Sequence, residues 1–194
     1  MNEISAPVTG TAVAALDLFI EAVDSVAPDD WDRPSNLDDW SVRQLVGHAT
    51  GSAAKVVTLV EGGQLWGRSE PADWLSDNPV ARLGELAVRL RKVAPDADLT
   101  AMRDSPAGRV PLEKALAFPV SDLALHSWDL HRSCGRQIEL PDGLLEFCQA
   151  LVDSVDEAQL RRPGGFGPAC PAPADATPTA RLMAYLGRSV EPAS

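Results

Sequence analysis

His48, His126 and His131 are the only imidazoles in the chain, so their placement decides much of the chemistry it can carry. Asp122 lies four residues before His126, and Asp129 three after it. Residues three and four apart share one face of an α-helix. His126 falls on an apolar stripe with Leu123 and Leu130, so both carboxylates are expected to point inward beside it. A carboxylate is rarely buried unless it is paired, hydrogen-bonded or bound to a metal. His48 comes three residues after Leu45 and four before Ser52, on or beside the buried face of an earlier helix. Two helices of one bundle can bring His48, Asp122 and His126 together. Two imidazoles and a carboxylate suit a divalent metal, zinc first, with nickel or iron as alternatives. Three protein ligands leave positions open for water, a thiol or a substrate. Asp129 then fits behind an imidazole, orienting it through its far nitrogen. A hydrogen-bonded Asp122–His126 pair without metal accounts for the same spacing, and spacing alone leaves both readings open.

The remaining reactive side chains have plainer roles. His131 is five residues from His126, well round the helix, and is expected at the surface. Cys134 at a helix end and Cys148 on an apolar face read as packing residues. Cys170 falls in a proline-rich stretch and is expected to be accessible. Trp31, Trp40 and Trp128 read as core anchors, and Asp29, Asp30 and Asp32 as a solvated loop. No G-x-G-x-x-G, Walker loop or G-x-S-x-G occurs, so nucleotide-binding and α/β-hydrolase chemistry lack support.

The elements that must position these residues read as helices. Residues 11–27 carry apolar positions at Val13, Leu16, Ile20 and Val23. Residues 29–40 form a loop. Ser41 and Gln44 make a capping-box start for a second helix with a stripe of Val42, Leu45, Ala49, Ala53, Val56 and Val60, closed by Gly62-Gly63. Asn78-Pro79 opens a third helix to Val93, with Leu83, Leu86 and Leu90 inward. Residues 95–111, with Pro106 and Gly108, read as irregular. A fourth helix carries Leu116, Val120, Leu123, His126 and Leu130 and ends at Gly135, and Pro119 is expected to break or restart it. Residues 142–160 read as a fifth helix. Residues 161–178 hold five prolines and three glycines, which excludes regular structure. Residues 179–187 read as a short closing helix. No segment alternates convincingly as a strand. The expectation is a single all-α domain over 1–194, four main helices with extra pieces.

Composition narrows the function classes. Of 194 residues, 28 are acidic and 17 basic, a net charge of −11. That balance and a pI near 4.6 argue against nucleic-acid or anionic-membrane partners. No apolar run is long enough to span a membrane. The opening residues lack a basic n-region and an apolar core, so no signal peptide is expected. Three cysteines without a C-x-x-C make a disulfide framework or zinc ribbon improbable and fit a reducing cytoplasm.

Two motifs carry a family resemblance. W-x-x-P-S-x-L-x-x-W-S-V-R-Q-L-V-G-H, from Trp31 to His48, resembles the opening of small DinB-like proteins related to mycothiol-dependent maleylpyruvate isomerase. S-D-L-A-L-H-S-W-D-L-x-R-x-x-G, from Ser121 to Gly135, resembles their later metal-binding helix. The tail from 164 to 188 resembles the close of one actinobacterial subgroup. The resemblance implies a DinB/YfiT-like four-helix bundle holding one divalent metal. The family's first histidine maps onto His48, and its acidic-x-x-x-His pair onto Asp122 and His126. The isomerase pattern usually has Glu where this chain has Asp122, a shorter ligand. The family's W/V-D-L aspartate matches Asp129. The complete isomerase carries an additional C-terminal domain, which this chain is expected to lack.

The function expected from residues and resemblance together is a metal- and thiol-dependent S-transferase or isomerase. Mycothiol would be the thiol and a small electrophilic organic molecule the substrate; a homodimer is in keeping with relatives. Arg43, Arg109 and Arg132 are candidates to bind the thiol. Alternatives are a non-catalytic metal or ligand binder and a metal-assisted lyase, isomerase or hydrolase that needs no thiol.

Overall fold

The structure is a computed structural model and describes residues 7–37, 39–105 and 108–190. Of the opening residues read for a leader, those before Pro7 lie outside them, as does Pro106. Helix α1 (Val8–Asp24) begins after Pro7. Its buried stripe is Ala12, Ala15, Leu16, Phe19, Ala22 and Val23, while Val13 and Ile20 are only half-buried. Leu16 and Val23 mark the stripe correctly, and Val13 and Ile20 fall beside it because alanines let neighbouring helices approach and so carry much of the contact.

Helix α2 (Val42–Val60) starts at the expected capping box, with the Gln44 amide donating to Ser41 Oγ and the Ser41 amide to Gln44 Oε1. All six stripe residues are buried. Helix α3 (Pro79–Val93) starts on the Asn78 side-chain cap and buries Leu83, Leu86 and Leu90. Helix α4 (Leu112–Ser133) runs through Pro119 without interruption. Losing one amide and crowding the preceding turn costs roughly 3 kcal/mol. Full burial of Leu116, Val120 and Leu123 around the proline outweighs that.

Helices α1 and α2 each pack on both α3 and α4 and touch one another little, which makes the four-helix bundle. Two short strands, β1 (Met102–Ser105) and β2 (Gly108–Pro111), pair antiparallel where the sequence reads as irregular. They are four residues each with no buried position, so they leave no alternating apolar signal.

The expected fifth helix is divided. Helix α5 (Asp142–Asp153) ends where Ser154 Oγ turns back to the Leu151 carbonyl, and α6 (Glu157–Leu160) restarts after Asp156. Such local serine bonds compete with helix propagation. Residues 161–177 hold no helix or strand, and α7 (Pro178–Tyr185) closes the chain on a Thr177 cap. Among the described residues no helix is long and apolar enough to cross a membrane.

Candidate metal centre

Helices α2 and α4 face each other, and their contact brings His48, Asp122 and His126 together. One ligand-type atom from each lies within 4.8 Å of the others. His48 Nε2 is 3.3 Å from Asp122 Oδ2, and His126 Nε2 is 3.2 Å from Asp122 Oδ1. The two rings meet edge to face at 5.0 Å. The His126 side chain is 6% exposed and that of His48 11%, whereas Asp122 is 29% exposed, so solvent reaches the centre past the carboxylate.

The far nitrogen of each imidazole is committed. His48 Nδ1 lies 2.6 Å from the Ser69 carbonyl oxygen, which can only accept. That assigns the proton to Nδ1 and turns Nε2 toward Asp122. His126 Nδ1 lies 2.9 Å from Asp129 Oδ2, with the same consequence. Such outer partners fix ring orientation and raise ligand basicity.

The acceptor for His48 depends on two glycines. A Cβ at Gly51 would sit 2.4 Å from the Ser69 Cβ, and one at Gly47 2.6 Å from the Pro71 carbonyl oxygen. Both contacts are shorter than atoms tolerate. The notch they leave in α2 lets the 69–71 segment lie against the helix and deliver its carbonyl to the imidazole.

Asp129 is fully buried. Asn36 Nδ2 donates to its Oδ1 at 2.8 Å, and Arg188 Nη2 to its Oδ2 at 3.0 Å. Burial alone would raise this carboxyl, but the Arg188 charge and the His126 hydrogen bond hold it below the usual carboxylate range. Asp122 behaves alike: burial pushes it up, and the charges and hydrogen bonds of His126 and His48 outweigh that and hold it well below. Burial would lower His126, but Asp122 and Asp129 raise it to about 9. Ser52 Oγ donates to Asp122 Oδ2 at 2.5 Å.

Other expectations fare differently. Asp129 lies directly behind His126, as its spacing suggests. Trp40 stacks on His48 at 4.7 Å, so it borders the centre as well as the core. Trp128 is buried and Trp31 half-buried. His131 is half-buried and away from the centre. Cys148 is fully buried, and Cys134 and Cys170 half-buried. Arg43 pairs with Asp32 and Arg109 with Asp104; neither these nor Arg132 contacts the three residues of the centre. The arginine that matters is Arg188, which sequence reasoning passed over. Asn36, Ser52 and the Ser69 carbonyl were missed too. Only Ser52 carried a signal, its place four residues after His48.

The 161–178 segment lies beside this network. Phe166 sits under the Arg188 guanidinium at 5.2 Å, and a Cβ at Gly164 would lie 3.5 Å from Arg68 Nη1.

The sequence family described as the mycothiol maleylpyruvate isomerase N-terminal domain matches residues 12–131. The chain belongs to this family. The matched stretch contains His48, Asp122, His126 and Asp129, and Arg188 falls beyond it. Two uncharacterised proteins of Mycobacterium tuberculosis, from strains CDC 1551 and H37Rv, are each 27% identical over 179 residues, 91% of this chain and 94% of theirs. Crystal structures of the mycothiol-dependent maleylpyruvate isomerase and of a histidine-to-alanine variant share the fold. Each superposes with a TM-score of 0.56 at 14% and 13% identity respectively, covering 72% of this chain. The match spans 65% of the isomerase chain, just under two thirds of its length.

Proposed function

We propose that His48, Asp122 and His126 hold one divalent metal, zinc in first place, and that the protein is a metal- and thiol-dependent transferase or isomerase. Its thiol would be mycothiol and its substrate a small electrophilic organic molecule. The observation that carries this reading is the convergence of two imidazole Nε2 atoms on both oxygens of one carboxylate, with each Nδ1 already committed to an acceptor. A histidine pair placed only for packing needs neither feature. The donor set fits a borderline cation, and three protein ligands leave room for an exogenous one.

A cation there supplies positive charge that favours the deprotonated form of an incoming thiol near neutral pH. The protein does the rest. Ser69 and Asp129 hold the two imidazoles in fixed orientation. Ser52 holds the Asp122 carboxylate through its Oδ2. Trp40 on one side shields His48 from water, and the partly open edge of Asp122 is the approach for small molecules. The thiol sulfur then forms a bond to an electrophilic carbon, and the thiol proton leaves to solvent. Transfer follows if a leaving group departs from that carbon; isomerisation follows if the carbon belongs to a double bond whose π pair shifts onto a conjugated carbonyl as sulfur adds, and the sulfur leaves after rotation about the resulting single bond, restoring the double bond.

The test is conversion of a panel of small electrophiles by zinc-loaded protein with mycothiol, read as thiol conjugate or as rearranged substrate. The expected result is turnover that needs both thiol and metal and is lost in His48→Ala. Equal turnover with thiol omitted, or none with any pair, would contradict the proposal.

A further inference from the structure

We propose that Lys55 and Arg68 form an oxyanion-binding rim at the open side of the His48–Asp122–His126 centre, taking a carboxylate or phosphate group of the ligand that reacts there. The inference rests on the centre being the reactive site and names the chemistry of what enters it.

Lys55 belongs to the same face of α2 as the centre. His48, Ser52 and Lys55 are spaced four and three residues apart, and Ser52 already bonds Asp122. The Lys55 ammonium donates to the Gly67 carbonyl at 2.6 Å. Its ammonium has three donors, and this bond uses one. Burial lowers Lys55 from its ordinary range, and the opposing charge it feels is that of Asp122, which places it in the field of the centre.

Arg68 follows Gly67 directly and precedes Ser69, the residue whose carbonyl orients His48. Its guanidinium lies over the Trp40 ring at 5.2 Å, and that ring stacks on His48 at 4.7 Å. Among the described residues the Arg68 guanidinium makes no hydrogen bond or ion pair, so its N–H donors are available, the fork that suits an oxyanion. Among the described residues neither Lys55 nor Arg68 makes an ion pair, in a chain with 28 acidic side chains and 17 basic ones. Acidic partners are plentiful, yet these two cations converge on the edge of the centre without one.

The test is calorimetric titration of the zinc-loaded protein with succinate and, separately, inorganic phosphate, repeated on Lys55→Met/Arg68→Gln and on Arg68→Gln alone. Arg68 is exposed, so its single variant keeps the fold even if the double variant does not. The expected result is saturable binding of at least one probe, weakened about tenfold in the double variant. The probe that binds identifies the oxyanion. Binding of neither probe to the wild type, or a loss under about threefold in the double variant, would overturn the rim. Zinc content is measured on the same samples, and the titration is repeated after chelation. Zinc retained without oxyanion binding sinks the rim alone; oxyanion binding without zinc uptake sinks the metal reading alone.

Discussion

Arg188 and Asp129 meet inside the protein across 59 residues of sequence, Nη2 3.0 Å from Oδ2, with Asp129 fully buried and Arg188 nearly so. The arginine also lies over Phe166 and donates to the Leu186 carbonyl. This one pair ties the C-terminal segment to the carboxylate that orients His126. The centre therefore depends on chain outside the matched domain.

Removing one partner of such a pair strands a charge in the interior. Arg188→Met should cost about 3–5 kcal/mol of stability, read from urea unfolding. Arg188→Met combined with Asp129→Asn should recover part of it, because no charge is then stranded. A single-variant loss below about 1 kcal/mol would mean the pair is solvated in solution.

The notch in α2 makes a sharper contrast. Gly51→Ala places a Cβ against Ser69 and should cost roughly 1–3 kcal/mol. By displacing the His48 acceptor it should also weaken zinc binding by roughly 10–100-fold. Gly84→Ala in α3 meets nothing within 4 Å and should stabilise by roughly 0.5–1 kcal/mol. Equal effects of the two substitutions would contradict the notch.

The cysteines separate by burial. Burial pushes the Cys148 thiol up to about 11, and the Ser121 hydrogen bond only partly offsets this. At pH 8 only roughly one in a thousand Cys148 side chains is thiolate, the reactive form. In native protein Cys148 should stay unmodified by an aromatic disulfide reagent and react only when urea unfolds the chain. A Cys148→Ser variant that loses a fast-reacting native thiol would contradict this placement.

The legible part of the centre is the part that obeys helical period. Asp122, His126 and Asp129 share one face by spacing, and His48 sits at a buried position of the facing helix, so bundle geometry unites them. What escaped comes from irregular chain. Asn36 lies in a loop, Arg188 follows the last helix, and the Ser69 acceptor for His48 is a backbone carbonyl with no side-chain signature. The spacing of Asp129 places it behind His126 but carries no sign of the Arg188 guanidinium that balances its charge. In the fold, the helix starts at Ser41 and Asn78 were legible because caps have chemistry. The α1 stripe was legible at Leu16 and Val23 but not at Ala12, Ala15 and Ala22, because alanines pack closely with little apolar bulk. The strand pair β1–β2 was missed because its four-residue strands bury no position and carry too few apolar residues to display a period. Continuity through Pro119 is a tertiary effect, and local propensity opposes it.

The most direct measurement is metal content by inductively coupled plasma mass spectrometry on purified, untagged protein beside His126→Ala. The account predicts about one equivalent of a transition metal in the wild type, after incubation with zinc, nickel or iron salts where needed, and its loss in the variant. Wild-type protein that takes up none of the three would contradict the ligand assignment and the thiol chemistry built on it. His48, Asp122 and His126 would then be a hydrogen-bonded cluster and nothing more.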